Sequence, residues 1–189
     1  MTLYYIRHAP TAANVAGEIV NDYDSQSIIN FDVDKWKWYV GCHLPKDFKL
    51  FVSPAKRCRQ TAEALFPDKE YTILPDLAEF DISELADSGL KFWEIDEKTF
   101  NQKVYLRWTD VVDRWNDALI DINEDNPENV VVIGHGFYGR LVRELYAKTN
   151  DSIFDVLNSK NFQFRNLDVM KIEKCQVTNV WRNDETVSY

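Results

Sequence analysis

The segment Val130–Ile133 constrains the fold strongly, because it consists of four consecutive β-branched residues and is followed by Gly134. A run of this kind is buried on both faces, which is typical of a central strand in a parallel sheet that helices cover on each side. The sequence therefore favours a layered α/β architecture.

The apolar patterns elsewhere alternate between strands and helices. Apolar or β-rich runs predict further strands at 3–6, 48–52, 71–74, 162–172 and 175–182, the last two forming a hairpin. Helices are predicted over 33–40, 104–122 and 137–148, and from Ser53-Pro54, an N-cap followed by proline, to about Leu65. This alternation predicts a three-layer α/β/α sandwich with a mostly parallel central sheet and an antiparallel edge strand.

Length and charge restrict the class of protein. A chain of 189 residues, 45% of them hydrophobic, can bury one core, so we expect a single domain over 1–189 in which 17–47 and 76–100 are variable, lid-like segments. The formal net charge of −9 disfavours nucleic acid and anionic membranes as partners. The chain shows no leader pattern, no membrane-length apolar run and no paired-cysteine motif, so we expect a cytoplasmic protein without a metal site or cofactor.

Arg7 and His8 come directly after the first predicted strand, where the chain enters a turn. A neutral imidazole can attack phosphorus, and a neighbouring guanidinium can orient the phosphoryl oxygens and offset their charge. Thr11 and Asn14 follow on the next turn, where a hydroxyl and an amide can face the same anion. These residues indicate a site for attack on a phosphorylated substrate.

Two more segments supply groups for the same site. Arg57 lies on the first turn of the helix predicted after Ser53, and a helix N-terminus already favours anions. His135 is bracketed by glycines at the carboxyl end of the central strand, which is the edge where open α/β sheets bind ligands. Because parallel strands share that edge, we expect His8, Arg7, Arg57 and His135 to converge on one pocket.

The segment Gly134–Gly139 also satisfies the dinucleotide-binding pattern G-x-G-x-x-G between a strand and a helix. That pattern requires an acidic residue about 20 residues later, at the end of a second strand. Asp151 and Asp155 lie instead in a stretch without strand periodicity. We therefore reject a dinucleotide-binding function.

Together these segments resemble the histidine phosphatase superfamily, also called phosphoglycerate mutase-like. The resemblance rests on three segments in the family's order, Leu3–Asn14, Ser53–Ala62 and Val131–Gly136. Two features depart from the family pattern. Ala9 stands where many members have glycine, and residues 17–47 lack the Leu-Thr-x-x-Gly-x-x-Gln-Ala stretch of the mutase and sugar phosphatase branches. The substrate therefore does not follow from those branches.

The resemblance implies a metal-independent phosphomonoesterase that acts on a small phosphorylated substrate through a phosphohistidine. It implies that His8 is transiently phosphorylated and that Arg7, Arg57 and His135 hold the transferring phosphoryl group. Glu79 matches the family's acid, which protonates the leaving group and is the remaining requirement for phosphoryl transfer.

Several alternatives stay open at the level of sequence. The carboxylates that can reach the same place as Glu79 are Asp76, Asp81 and Glu84. The predicted phosphohistidine site also suits a phosphoglycerate-type mutase, in which the phosphoryl group moves to another hydroxyl. A third possibility is a binding module for phosphate or phosphoprotein that keeps the anion pocket without turnover.

Overall fold

The computed structural model describes residues 1–19, 26–91, 94–148, 151–158, 164–174 and 176–181. Within these ranges the strands form one six-stranded sheet, consisting of β1 Thr2–Arg7, β2 Lys49–Val52, β3 Thr72–Ile73, β4 Asn129–Gly134, β5 Val169–Glu173 and β6 Gln176–Trp181. The α-helices are α1 Ala12–Ala16, α2 Val33–His43, α3 Lys56–Leu65, α4 Ser83–Ala86, α5 Glu97–Lys103, α6 Trp108–Asn123, α7 Gly136–Ala147 and α8 Ile153–Asn158, and a 3₁₀ turn covers Pro75–Leu77.

The strand order is β3-β2-β4-β1-β5-β6, with β4 in the interior of the sheet. β4 pairs in parallel with β1, where Leu3 lies opposite Val130, and with β2 on its other side. β5 pairs antiparallel with both β1 and β6, so the predicted hairpin forms the antiparallel side of the sheet. The predicted α/β fold with a mostly parallel sheet is therefore confirmed.

Alternate side chains of the strands enter two separate cores, which gives the three layers. On one face, Leu3 and Tyr5 of β1 pack in the first core, with side chains of α6 and α7. On the other face, Tyr4 and Ile6 pack in the second core, with side chains of α2 and α3. None of the helices in the described ranges has both the length and the apolar character needed to cross a membrane.

Two predicted helix starts are wrong. α3 begins at Lys56 rather than at Ser53, and its N-cap, Ala55, has an extended backbone and makes no side-chain capping bond. The physical reason is that the Ser53 hydroxyl contacts His135 instead of capping the helix. α6 begins at Trp108, because Val104 ends α5 and is buried there without belonging to the longer helix.

The fifth strand is shorter than predicted, because residues 164–168 form a turn. The Asp168 N–H donates to the Arg165 carbonyl at 3.0 Å, and the Asp168 carboxylate accepts from the Arg165 N–H at 2.7 Å. Leu167 has a left-handed backbone with φ of 65°, which a strand does not allow. Residues 162, 163, 175 and 182 of the predicted hairpin lie outside the described residues.

The two segments predicted to be lid-like contribute side chains to the cores. Trp36 and Tyr39 of α2 are buried in the second core. Leu77, Phe80 and Phe100 are buried in the first core. The described parts of 17–47 and 76–100 are therefore packed on the sheet, and a lid function for these segments stays a prediction.

Gly134 ends β4 where the Tyr5 side chain passes close to the main chain. A β-carbon at position 134 would lie 2.2 Å from the Tyr5 hydroxyl oxygen. Tyr5 is fully buried, and its hydroxyl accepts a 2.9 Å hydrogen bond from the His135 N–H, so it cannot move aside without breaking that bond. Gly41, in α2, has nothing within 4 Å of the corresponding position.

We expect Gly134→Ala to destabilise the protein by about 1–3 kcal/mol, because the added methyl overpacks a rigid core. Gly41→Ala is the matched control and should stabilise by about 0.5–1 kcal/mol, because alanine has the higher helix propensity. Urea denaturation measures both free energies of unfolding. Changes of the same sign in the two variants would contradict the packing argument.

Candidate active site

Three parallel strands deliver polar side chains to one edge of the sheet. His8 follows β1, Ser53 follows β2, and His135 follows β4, and all three are buried. The His8 and His135 rings lie 5.6 Å apart between centroids. The side chains predicted to converge from distant parts of the sequence are thus neighbours in space.

The Arg57 guanidinium joins the two imidazoles. Its Nε donates to His8 Nε2 at 3.2 Å, and its Nη2 lies 3.0 Å from His135 Nδ1. Arg57 reaches them from the first turn of α3 and is itself buried. Because a guanidinium has donors and no acceptor, both contacted ring nitrogens must be acceptors.

These contacts fix the neutral tautomer of His8. Nδ1 lies 2.7 Å from the Ala9 carbonyl oxygen, which can only accept, so Nδ1 carries the proton. Nε2 accepts from Arg57 and therefore presents a lone pair. Burial lowers the pKa of His8 well below its usual value, and the charges of Arg57 and Arg7 lower it further. The His8 ring is therefore a neutral tautomer whose Nε2 lone pair faces the Arg57 guanidinium.

His135 has the opposite tautomer. Its Nδ1 accepts from Arg57, so its Nε2 carries the proton and donates to the Ser53 hydroxyl oxygen at 2.7 Å. Burial, followed by the charge of Arg57, holds the pKa of His135 well below its usual value. The Cys58 thiol lies 3.7 Å from the same Nε2, and burial raises its pKa to about 12, so that group is also neutral.

Arg7 lies against the turn between β4 and α7. Its Nη1 donates to the Phe164 carbonyl at 2.5 Å. A β-carbon at Gly136 would be 2.7 Å from Arg7 Nε. The lack of a side chain at Gly136 therefore leaves room for the Arg7 side chain. The lack of one at Gly134 leaves room for Tyr5 in the same way. The G-x-G-x-x-G spacing accommodates the protein's own side chains, which agrees with the rejection of a dinucleotide site.

Thr11 and Asn14 form the N-terminal cap of α1. The Thr11 hydroxyl accepts from the Asn14 N–H at 3.2 Å, and the Asn14 side-chain oxygen accepts from the Thr11 N–H at 3.3 Å. Asn166 donates to that same Asn14 oxygen at 3.1 Å and to the His8 carbonyl at 2.9 Å. This network holds the turn after β1, and direct contact of Thr11 or Asn14 with an anion stays a prediction.

Glu79 is set apart from its neighbouring carboxylates by a hydrogen bond that it accepts from the first turn of α7. Its Oε1 accepts from the Phe80 N–H at 3.2 Å and from the Tyr138 N–H at 3.0 Å. Burial raises the pKa of Glu79, although the nearby charges of Arg57 and Arg7 oppose this shift. A carboxyl group with a raised pKa next to cationic side chains is suited to donate a proton.

The other candidate acids have different surroundings. Asp81 is exposed, and hydrogen bonds from Ser83 lower its pKa, so it is ionised more readily than an ordinary aspartate. Glu84 is exposed on α4. The Asp76 carbonyl accepts from Arg114 Nε at 3.1 Å, which shows how its main chain is held. Of the four carboxylates, Glu79 combines a raised pKa with a hydrogen bond to α7.

Two polar residues have surroundings that their sequence patterns did not predict. The Thr61 hydroxyl accepts from the Ala9 N–H at 2.9 Å and donates to the Arg57 carbonyl at 2.7 Å, so it links the turn after β1 to α3. Thr61 lies within the Ser53–Ala62 segment on which the family resemblance rests, and this position was the sequence signal for its role. Arg140 lies on α7, and burial, followed by the charge of Arg7, lowers its pKa to about 10. The position of Arg140, five residues after His135, did not predict this lowered pKa.

The assembled groups are two neutral imidazoles, the buried Arg57 guanidinium, the partly buried Arg7 guanidinium and a carboxyl group with a raised pKa. This set can bind an anion, attack its central atom and protonate a departing oxygen. Within the part of the chain that the structure describes, no group of three or more His, Cys, Asp or Glu side chains could hold a metal ion.

Structural comparison finds solved proteins with the same fold. A mutant phosphoserine phosphatase from Entamoeba histolytica in complex with phosphoserine is 15% identical, with a TM-score of 0.74 over 100% of this chain and 99% of that one. The alpha-ribazole phosphatase from Shigella flexneri is 14% identical, with a TM-score of 0.67 over 95% and 94%. A mycobacterial glucosyl-3-phosphoglycerate phosphatase is 14% identical, with a TM-score of 0.66 over 91% and 92%.

Sequence comparison supports the same assignment. The family model described as histidine phosphatase superfamily (branch 1) matches residues 36–184, a stretch that contains Arg57, Glu79 and His135 and begins after Arg7 and His8. A search of curated proteins finds no match. Because the match covers most of the chain and the resemblance noted in the sequence is confirmed, the chain belongs to branch 1 of the histidine phosphatase superfamily.

Proposed function

We propose that the protein is a metal-independent phosphomonoesterase that hydrolyses a small phosphorylated substrate through a phosphohistidine at His8. The observation that carries this proposal is the pair of hydrogen bonds on the His8 ring, with Nδ1 donating to the Ala9 carbonyl and Nε2 accepting from Arg57. They keep the lone pair of Nε2 directed at the position where the Arg57 cation attracts a phosphoryl group.

In the first step, His8 Nε2 attacks phosphorus and the bond from phosphorus to the leaving oxygen breaks. Glu79 gives its proton to that oxygen, which departs as an alcohol. Nδ1 keeps its proton, and the Ala9 carbonyl stabilises the positive charge of the phosphoimidazole. In the second step, water attacks phosphorus, ionised Glu79 takes its proton, and breaking the N–P bond releases phosphate and neutral His8.

Arg57 and Arg7 hold the phosphoryl group during both steps. His135 joins them when its Nδ1, which accepts from Arg57 in the free protein, takes a proton and donates to a phosphoryl oxygen. Most of the catalysis in phosphoryl transfer is positioning and charge stabilisation, and a guanidinium fork matches phosphoryl oxygens. When the phosphoryl group enters, the Arg57 N–H groups that now contact His8 and His135 turn to its oxygens. Thr11 and Asn14 complete the wall of the pocket beside His8.

A small substrate is supported by the solved proteins of the same fold. Those named above include phosphatases for phosphoserine, alpha-ribazole phosphate and glucosyl-3-phosphoglycerate. Each name denotes a small phosphorylated molecule. The identities of 14–15% leave the leaving group of this chain's substrate to be identified by a panel of phosphorylated metabolites.

We expect His8→Ala to lower kcat/KM for p-nitrophenyl phosphate, measured with EDTA present, by at least about a thousandfold, because the nucleophile is lost. His43→Ala is the matched control, since His43 lies on α2 and stacks on Tyr39 at 4.3 Å between ring centroids. That variant should keep wild-type activity.

Trapping the intermediate separates the alternatives. Acid-labile label from a ³²P substrate should appear on the wild-type protein and not on His8→Ala, and should pass to water. Label that moves to another hydroxyl of the substrate instead identifies a mutase. A protein that releases no phosphate and takes up no label is a binding module, and this result would refute the proposal.

The pH dependence of kcat/KM should follow the shifted pKa values of His8 and Glu79. His8 must be neutral to attack, and its pKa is lowered, so the acid limb should lie below the ordinary histidine value of 6.5. Glu79 must be protonated to act as an acid, and its pKa is raised, so activity should fall as the pH rises through that pKa. A profile that already falls at pH 6.5 on the acid side would contradict the neutral state of His8.

Glu79→Gln should remove the basic limb and slow the reaction according to the leaving group. We expect a loss of about 100-fold for an alkyl phosphate and of less than about tenfold for p-nitrophenyl phosphate, whose leaving group needs little protonation. Glu84→Gln, which changes an exposed carboxylate, is the control and should match wild type. Equal losses for the two substrates would exclude Glu79 as the acid.

A further inference from the structure

The turn before Glu79, Pro75–Leu77, is contacted by one side chain of a distant helix. Arg114, on α6, donates from Nε to the Asp76 carbonyl at 3.1 Å and from Nη2 to the Ala78 carbonyl at 2.8 Å. The same Nη2 lies 3.5 Å from the Pro75 carbonyl. One guanidinium therefore contacts three main-chain carbonyls of the four residues that precede Glu79.

The same guanidinium also contacts Phe80 and Tyr138, two residues that hydrogen-bond Glu79. Its central carbon lies 4.8 Å from the centroid of the Phe80 ring and 5.4 Å from that of the Tyr138 ring. The main-chain N–H groups of these two residues are the donors to Glu79 Oε1. Arg114 thus fixes the turn before Glu79 and packs on the side chains of both Glu79 donors.

The chemistry of these contacts requires an arginine. A 3₁₀ turn leaves carbonyls without intrahelical partners, and leaving such groups unpaired where they are partly buried costs stability. A planar guanidinium supplies donors in a fixed fork and can lie over aromatic rings at the same time. A lysine ammonium keeps the charge but has a single nitrogen and no plane.

We propose that Arg114 is a positioning residue for the general acid, because it holds the 75–78 main chain so that the Glu79 carboxyl group meets the leaving oxygen. This inference rests on the proposed function. Arg114 itself does not touch the reacting atoms in this scheme. Its loss should therefore act on the step in which Glu79 donates a proton and leave attack by His8 intact.

The test compares kcat/KM across a series of phosphate monoesters whose leaving groups differ in pKa, from p-nitrophenyl to alkyl. For Arg114→Met we expect a loss of about tenfold on the alkyl ester and of less than about twofold on the p-nitrophenyl ester, because proton donation matters only for the poorer leaving group. Arg114→Lys should show the same pattern, because its ammonium cannot bridge the turn. Arg107→Met is the control, because Arg107 is the N-cap of the same helix and its side chain is 80% exposed, so this variant should leave the series unchanged.

A double variant links the effect to Glu79. In Glu79→Gln, adding Arg114→Met should lower kcat/KM on the alkyl ester by less than about twofold, because residues that act as one unit are not additive. Equal losses of Arg114→Met on all leaving groups, or a full additional loss in the double variant, would overturn the inference. Thermal unfolding of each variant, with rates measured well below the midpoint, keeps loss of folded protein from imitating either pattern.

The wild-type measurements separate this inference from the proposed function. If wild type forms no phosphoenzyme, the proposed function fails before Arg114 is considered. If wild type forms it and Glu79→Gln has the expected leaving-group dependence, the proposed function stands. The Arg114 series then decides the positioning role alone.

Discussion

A guanidinium can donate hydrogen bonds and cannot accept them, and this property of Arg57 sets the state of both imidazoles in the site. Contact with Arg57 makes His8 Nε2 and His135 Nδ1 acceptors, so each ring carries its proton on its other nitrogen. The Ala9 carbonyl accepts the hydrogen bond from His8 Nδ1–H, and the Ser53 hydroxyl oxygen accepts the one from His135 Nε2–H. The rest of the fold brings these five groups within hydrogen-bonding distance of one another.

The sheet brings the site residues together because three parallel strands end at the same edge. A parallel sheet is covered on both faces. The apolar residues of β1, β2 and β4 therefore alternate between the two cores. The polar residues come at once after the apolar ones, where the strands leave the sheet. Burial therefore has two effects: it stabilises the sheet, and it keeps the pKa values of His8 and His135 low.

Much of this arrangement was predictable from the sequence. The β-branched run of β4 predicted the interior of the sheet. Strand-end position predicted His8 and His135 as site candidates, and position on the first turn of a helix predicted Arg57. The resemblance favoured Glu79, but the residue pattern did not separate it from Asp76, Asp81 and Glu84, because what sets it apart is a hydrogen bond to α7, 59 residues further along the chain. Local sequence patterns also did not predict the contacts that Ser53 and Arg114 make.

Ser53 before proline has the form of a helix cap, and Arg114 on an amphipathic helix has the form of a solvated side chain. In both cases a contact across the fold replaces the local preference. The Ser53 hydroxyl contacts His135, and the Arg114 guanidinium contacts the turn before Glu79. Such contacts depend on which elements become neighbours, and the spacing of residues along the chain carries no record of that.

The hydroxyl of Thr61 couples two parts of the site mechanically. It accepts from the Ala9 N–H, next to His8, and donates to the carbonyl of Arg57, so both hydrogen bonds meet at a single oxygen atom. Arg57 and Thr61 lie on the same helix, so the hydrogen bond from Ala9 ties the turn that carries His8 to the helix that carries the cation. One hydroxyl thereby acts as a spacer between the cation and the histidine.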